Sequence, residues 1–310
     1  MNMKRGRFYL LLTLVSWVIG SGVHAIDPSS ATENTVDLSA QPEYSNWLFS
    51  GLVNNENGET FAYIFSMQQT GHVFHVQTAL FDGEKNKLLF SYDHSKTLNN
   101  TKELKLKVGH AFLNYNSINA SWSFGVKLEK RKGFHFKVDM LSSSKNKSGA
   151  EALRPGLQLL VKQANRLNGY IQLGAHKEQF VTANYSWFSQ IWLTTTELSS
   201  HAVCGVFCHL KDFSGFYALK LDEQDANHAA LAGWRNAEGN DGKISQFVEV
   251  KRQKNDRWSV DVTIPKFSIE FYDLLADVIS MEKDGAGFFH QAQKGFCWVT
   301  EQPLGGGLLP

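Results

Sequence analysis

The chain has 310 residues, 43% hydrophobic and 13% aromatic, which excludes a disordered chain and leaves apolar material for one large domain or two modest ones. Its 31 basic and 30 acidic residues give a formal net charge of +1, so charge offers no argument for nucleic acid or an anionic surface as partner. Its three cysteines are too few, and odd in number, for a disulfide scaffold.

Residues 1–25 read as a secretory signal: Lys4, Arg5 and Arg7 form a basic start, Phe8 to Ile19 an apolar run, and Val23-His24-Ala25 a small-x-small cleavage site. Export to a periplasmic or extracellular space, with cleavage near Ala25, is the expectation. Residues 26–41 are small and polar and read as a flexible leader.

From residue 47 onward the dominant signal is period-two alternation. In "WSFGVKL" Trp122, Phe124, Val126 and Leu128 share a face, and in "FHFKVDM" Phe134, Phe136, Val138 and Met140 do. "WSVDVTI" repeats the pattern through Trp258, Val260, Val262 and Ile264. Looser runs cover 47–53, 59–67, 72–80, 104–108, 169–173, 179–192, 215–221, 228–235 and 245–251. Turn pairs fall between them at Asn57-Gly58, Asp82-Gly83, Lys132-Gly133, Gly239 to Gly242 and Asn255-Asp256. Residues 268–281 fit a helical stripe as well as a strand. With no convincing long helix, the fold class is all-β. The polar stretch 142–152 reads as a linker, giving one β-domain over 42–145 and another over 146–310.

Several side chains are candidates for a ligand site. Tyr63 and Phe65 face the same way in the second run, and His75 sits between Phe74 and Val76 on a face that is polar in a half-buried strand but inward in a ligand-holding barrel. "NYSWFSQIW", residues 184–192, carries aromatics on both faces: Tyr185, Trp187, Ser189 and Ile191 on one, Ser186, Phe188, Gln190 and Trp192 on the other. Such a strand lies between two layers. Tyr185 and Trp187 are the better cavity candidates, and Trp192 joins them only if a bend intervenes. Cys204 can pair with Cys208, or either can pair with Cys297. His201 and His209 flank the first two, but the spacing lacks the second pair a zinc site needs, so no metal is expected. Sequons at Asn99, Asn119, Asn146 and Asn184 read as chance in an Asn-rich chain. No G-x-S-x-G, H-E-x-x-H, G-x-x-x-x-G-K or G-x-G-x-x-G motif occurs, and no cofactor is expected.

The order of "NWLFSGLVNNENGETFAYIFSMQ", "HVFHVQTALFDGEKNKLLF", "WSFGVKLEKRKGFHFKVDML", "RPGLQLL", "NGYIQLG" and "NYSWFSQIW" resembles the lipocalin-like family of AttH and the carotenoid 1,2-hydratases. The resemblance, over about residues 46–305, implies two consecutive lipocalin-like antiparallel β-barrels around an apolar cavity. In the hydratase branch an acid lies within a W-x-D-x-x-W motif. Here Trp187 and Trp192 match, but Ser189 stands where the acid would be. A serine hydroxyl cannot protonate an alkene, which takes a strong acid in an apolar pocket. The resemblance therefore implies a binder of a lipid or isoprenoid, with an ABC-type export permease as a partner carried over from AttH. The alternatives are a hydratase or isomerase drawing its acid from Asp139, Asp212 or Asp273, and an interaction module with filled barrels. A cavity carboxyl would mark the enzyme, and packed interiors the module.

Overall fold

The computed structural model describes residues 44–85, 87–99, 104–140, 150–164, 166–175, 177–195, 197–210, 212–222, 229–236, 241–244, 248–253, 257–263, 266–272, 280–283 and 295–304. The expected signal and leader and Asp273 lie outside them, as do most of 142–152 and the sequon at Asn146.

The described residues are almost wholly strand, as the alternation requires. The first sheet holds β1 (Tyr44–Asn55), β2 (Thr60–Thr70), β3 (Val73–Asp82), β4 (Lys87–Thr97), β5 (Lys105–Val108), β6 (Ala111–Asn116), β7 (Ser121–Leu128) and β8 (Lys132–Asp139). It continues with β9 (Glu151–Arg154), β10 (Leu157–Ala164), β11 (Arg166–Leu173), β12 (Gln179–Ala183) and β13 (Ser186–Leu193). Its order is β4-β3-β2-β1-β12-β11-β8-β7-β6-β5, and β5 returns against β3 and β4, so the sheet curls into a nearly closed antiparallel barrel. A branch runs off β1 through β13 and β10 to β9.

The sequence placed the division between halves at 145/146, but strand pairing carries the first sheet through Leu193, because β11 pairs with β8 and both β12 and β13 pair with β1. A second sheet follows, in the order β17-β16-β15-β14-β22, from β14 (Ala202–Leu210), β15 (Gly215–Leu221), β16 (Ala230–Arg235), β17 (Asp241–Ile244) and β22 (Gly295–Pro303). The third contains β18 (Val248–Arg252), β19 (Arg257–Thr263), β20 (Lys266–Tyr272) and β21 (Ser280–Lys283). Within the ambiguous 268–281 run, the described residues are strand.

Inward residues of the barrel form an aromatic core. Phe49 stacks on Phe124 at 4.2 Å between ring centres, Phe134 on Phe136 at 4.5 Å, and Tyr63 meets Phe136 edge-on at 5.0 Å. The outward residues of β1 and β13, among them Leu48, Trp187 and Ile191, pack on Val203 and Phe207 of β14 and on Tyr217 and Leu219 of β15. The other face of β14 and β15, through Val206, Cys208, Phe216 and Ala218, packs on Trp258, Val260 and Val262 of the third sheet. The second sheet is thus buried on both faces, and its strands read as continuous apolar runs.

The Asn57-Gly58 turn forms as expected, with Gly58 at φ +81° and its amide donating to the Asn55 carbonyl at 3.1 Å. Lys132-Gly133 is not a turn. The chain reverses at a 3-10 turn over Glu129–Arg131, and Gly133 lies within β8, where a Cβ would come 2.0 Å from the Val126 carbonyl oxygen. Cys208 bonds to Cys297 across β14 and β22. The alternative Cys204–Cys208 pairing is excluded by geometry: four residues along one extended strand span about 13 Å, beyond a disulfide's reach.

Candidate functional site

The sheet forks on β1. Ser45 to Gly51 pair with β13, whereas Asn54 and Asn55 pair with β12, so Leu52 and Val53 fall between the two registers. Asn184 and Tyr185 carry the chain across the gap from β12 to β13. The β14–β15 hairpin packs over this fork, and between them lies a cleft of about 90 Å³. It is lined by Leu52, Asn54, Thr182 to Tyr185, His209, Leu210, Phe213 and Ser214.

His209 is the chemically distinctive group here. Even residues of β1 face away from the barrel interior and odd residues of β14 face toward β1, which brings the Ser50 hydroxyl to 2.9 Å from His209 Nε2. Ser50 is fully buried and His209 is 7% exposed. Burial lowers the His209 pKa to about 3, so the ring is neutral at ordinary pH. Nε2 is engaged by Ser50, leaving Nδ1 as the ring's other polar atom. The strand bearing His209 is held at its neighbour Cys208, which is tied to β22 and whose carbonyl accepts the Trp187 indole N–H from the facing β13 at 3.4 Å. Gly215 permits that approach, since a Cβ there would lie 3.1 Å from Trp187 Nε1.

A neutral buried histidine has a consequence for stability. The unfolded chain takes up a proton near pH 6.5 while the folded chain does not until about pH 3, so stability falls as pH falls through that window. Between pH 6.5 and 5.0 the expected loss from this one group is about 2 kcal/mol. Urea unfolding of the wild type and His209→Gln at both pH values checks this, because carboxylates titrate mainly below that interval. Equal slopes for the two proteins would show that His209 does not carry the effect.

The sequence candidates fall in different places. Tyr185 lines the cleft, and the buried Arg235 guanidinium lies over its ring. Trp187 is behind the cleft, 5% exposed, with its ring against Tyr217 at 5.1 Å. Trp192 is half-buried against the barrel core on the opposite face of β13, so no bend brings the two tryptophans together. Tyr63 and Phe65 do face the lumen, but as fully buried members of its aromatic packing. His75 is on the outer face of β3, where Nε2 meets Asp93 Oδ1 at 2.7 Å.

Ser189 is buried between Leu48 and Val161 at the layer interface and does not line the cleft. Asp139 is on the barrel surface, 3.9 Å from the Lys137 ammonium. Asp212 accepts from the Ser214 amide at 2.9 Å and the Ser214 hydroxyl at 2.6 Å, bracing the hairpin turn. Among the described residues, no three His, Cys, Asp or Glu side chains converge on a metal position. The residues that sequence reasoning missed include Ser50, Leu52, Leu210 and Phe213, and His209 was weighed only as a metal ligand beside the cysteines. Ser50 was visible only as a polar residue in an apolar run, and its partner lies 159 positions away.

No protein-family model and no curated protein sequence matches the chain. Solved structures do match. A Nitrosomonas europaea protein with the provisional name AttH superposes with a TM-score of 0.59 at 15% identity, over 90% of this chain and 98% of its own. Kievitone hydratase from Nectria haematococca gives 0.61 at 12% identity, over 86% of this chain and 92% of its own. The chain has their lipocalin-like fold. At these identities the likeness establishes architecture, and function must come from the site. Among the described residues of this lipocalin-like chain, aromatic and aliphatic side chains fill the barrel, and the cleft lies outside its wall.

Proposed function

We propose that this is an exported lipocalin-like binding protein that holds a small, largely apolar molecule in the cleft between the barrel wall and the β14–β15 hairpin. The observation that carries the reading is the buried Ser50–His209 pair, whose histidine is among the residues lining a cleft with Leu52, Ala183, Tyr185, Leu210 and Phe213. A few placed polar groups in an apolar wall are how ligand sites fix orientation. About 90 Å³ is well under the 300–1,000 Å³ of drug-sized sites, so the cleft takes one ring or chain end of a lipid or isoprenoid and the remainder lies on its open rim. Export rests on the signal-like residues 1–25, and a membrane transporter as partner rests on the resemblance to AttH.

The hydratase neighbour's name suggests a second reading, addition of water to an alkene. Among the described residues the cleft lining contains no Asp or Glu, and an imidazole with a pKa of about 3 is neutral near pH 7, where its one N–H is far too weak an acid to protonate an alkene. Those two facts favour binding over turnover.

Native mass spectrometry of residues 26–310, purified from the compartment that receives them, tests the proposal when followed by solvent extraction. A stoichiometric apolar adduct that is lost from His209→Gln is the expected result. An adduct retained undiminished by that variant would move the ligand elsewhere. A bare mass, with no thermal stabilisation from fatty acids or isoprenoid alcohols, would remove the binding reading altogether.

A further inference from the structure

The β14–β15 turn contains a residue that neither the turn nor the core calls for. The reversal is closed by the Leu210 amide on the Ser214 carbonyl at 2.9 Å and the Phe213 amide on the Leu210 carbonyl at 3.0 Å. Phe213 sits in it at φ +68°, a left-handed conformation that suits glycine or asparagine and is costly for a bulky side chain. Four non-glycine residues among those described have positive φ, and of these only Phe213 lines the cleft. Phe213 is 53% exposed and, among the described residues, belongs to none of the hydrophobic clusters. Backbone strain combined with an unpacked aromatic ring, both at the mouth of a cleft, is a pattern that strain retained for function produces.

The geometry points to Phe213 as the ligand-covering residue of the cleft, laying its ring on a flat apolar molecule whose hydroxyl meets His209. This rests on the cleft reading above and adds the ligand's chemistry to it. A hydroxyl is the matching group because Ser50 can either donate to Nε2 or accept from it. Nδ1 is correspondingly a donor or an acceptor, and a hydroxyl answers both, whereas an ether or a hydrocarbon does not. A planar body follows from the aromatic side chains at the rim, Tyr185 and Phe213, which prefer offset or edge-on contact with another π face.

Phe213→Gly separates a functional from a structural role. Relieving the strain is expected to raise the thermal midpoint by about 2–4 °C. The same change is expected to weaken binding of 2-naphthol, followed by its own fluorescence, by about tenfold. Phe213→Trp keeps the wild-type affinity, and naphthalene binds the wild type less tightly than 2-naphthol. Unchanged 2-naphthol affinity in Phe213→Gly would overturn the cover role, as would a loss of stability in that variant, which would make Phe213 a packing residue. Undiminished 2-naphthol binding by His209→Gln would overturn the cleft reading itself. If the wild type binds neither probe, the assigned ligand class is wrong, while an extracted adduct that depends on His209 would leave the cleft reading standing.

Discussion

Removing the Cys208–Cys297 bond is expected to lower stability by about 4–5 kcal/mol, the loop-closure entropy that an 89-residue separation returns to the unfolded chain. Both cysteines are about 1% exposed in the core between the second and third sheets, so Cys208→Ala with Cys297→Ala removes the crosslink with little other change of volume. The check is a urea midpoint for the wild type with and without dithiothreitol, set beside the double variant. The reduced wild type should fall to the variant's midpoint. If mass analysis after alkylation shows both thiols released and the midpoint has not moved, the bond does not stabilise the fold. Reduction should also reach the cleft, because Cys208 adjoins His209 and its carbonyl holds the Trp187 indole. A stability loss accompanied by weaker 2-naphthol binding is the expected pair of results.

Period-two alternation made the strands legible. Phe49, Trp122, Phe124 and Phe136 all face the lumen that their spacing predicts, and "NYSWFSQIW" does lie between two layers, with Phe188 in the barrel core and Trp187 in the interlayer core. Alternation says which residues share a face but not which strand comes alongside. That is why the polar run near 145 looked like a boundary, although β9–β13 join the barrel sheet. A glycine in sequence looks the same whether it makes a turn or permits close approach, and Gly133 does the second. Cys204 and Cys208 are near in sequence, yet the strand that holds both keeps them apart. The cleft was the least legible part. Tyr185 could be picked out by its aromatic setting, but the hydroxyl that pairs with His209 is on another sheet, and a backbone angle at Phe213 leaves no mark in composition.

Phe49→Ala is expected to cost about 3–5 kcal/mol, because its ring touches Phe65, Trp122, Phe124 and Phe188 with centre distances of 4.2–6.4 Å, and a packed aromatic core closes only partly around the space left. Urea unfolding at pH 7 measures it, and a loss below 1 kcal/mol would mean that the lumen is loosely filled. The substitution also decides where a ligand sits. Phe49 faces the lumen, whereas Ser50, the next residue, faces the cleft, so the vacated space opens on the opposite side of the barrel wall from His209. An apolar hole of this kind can take a benzene-sized guest. The cleft reading therefore predicts that Phe49→Ala keeps the wild-type affinity for 2-naphthol while gaining a second site for naphthalene. If the variant instead loses its 2-naphthol site, the ligand of the wild type occupies the barrel, and the Ser50–His209 pair is part of the packing between layers.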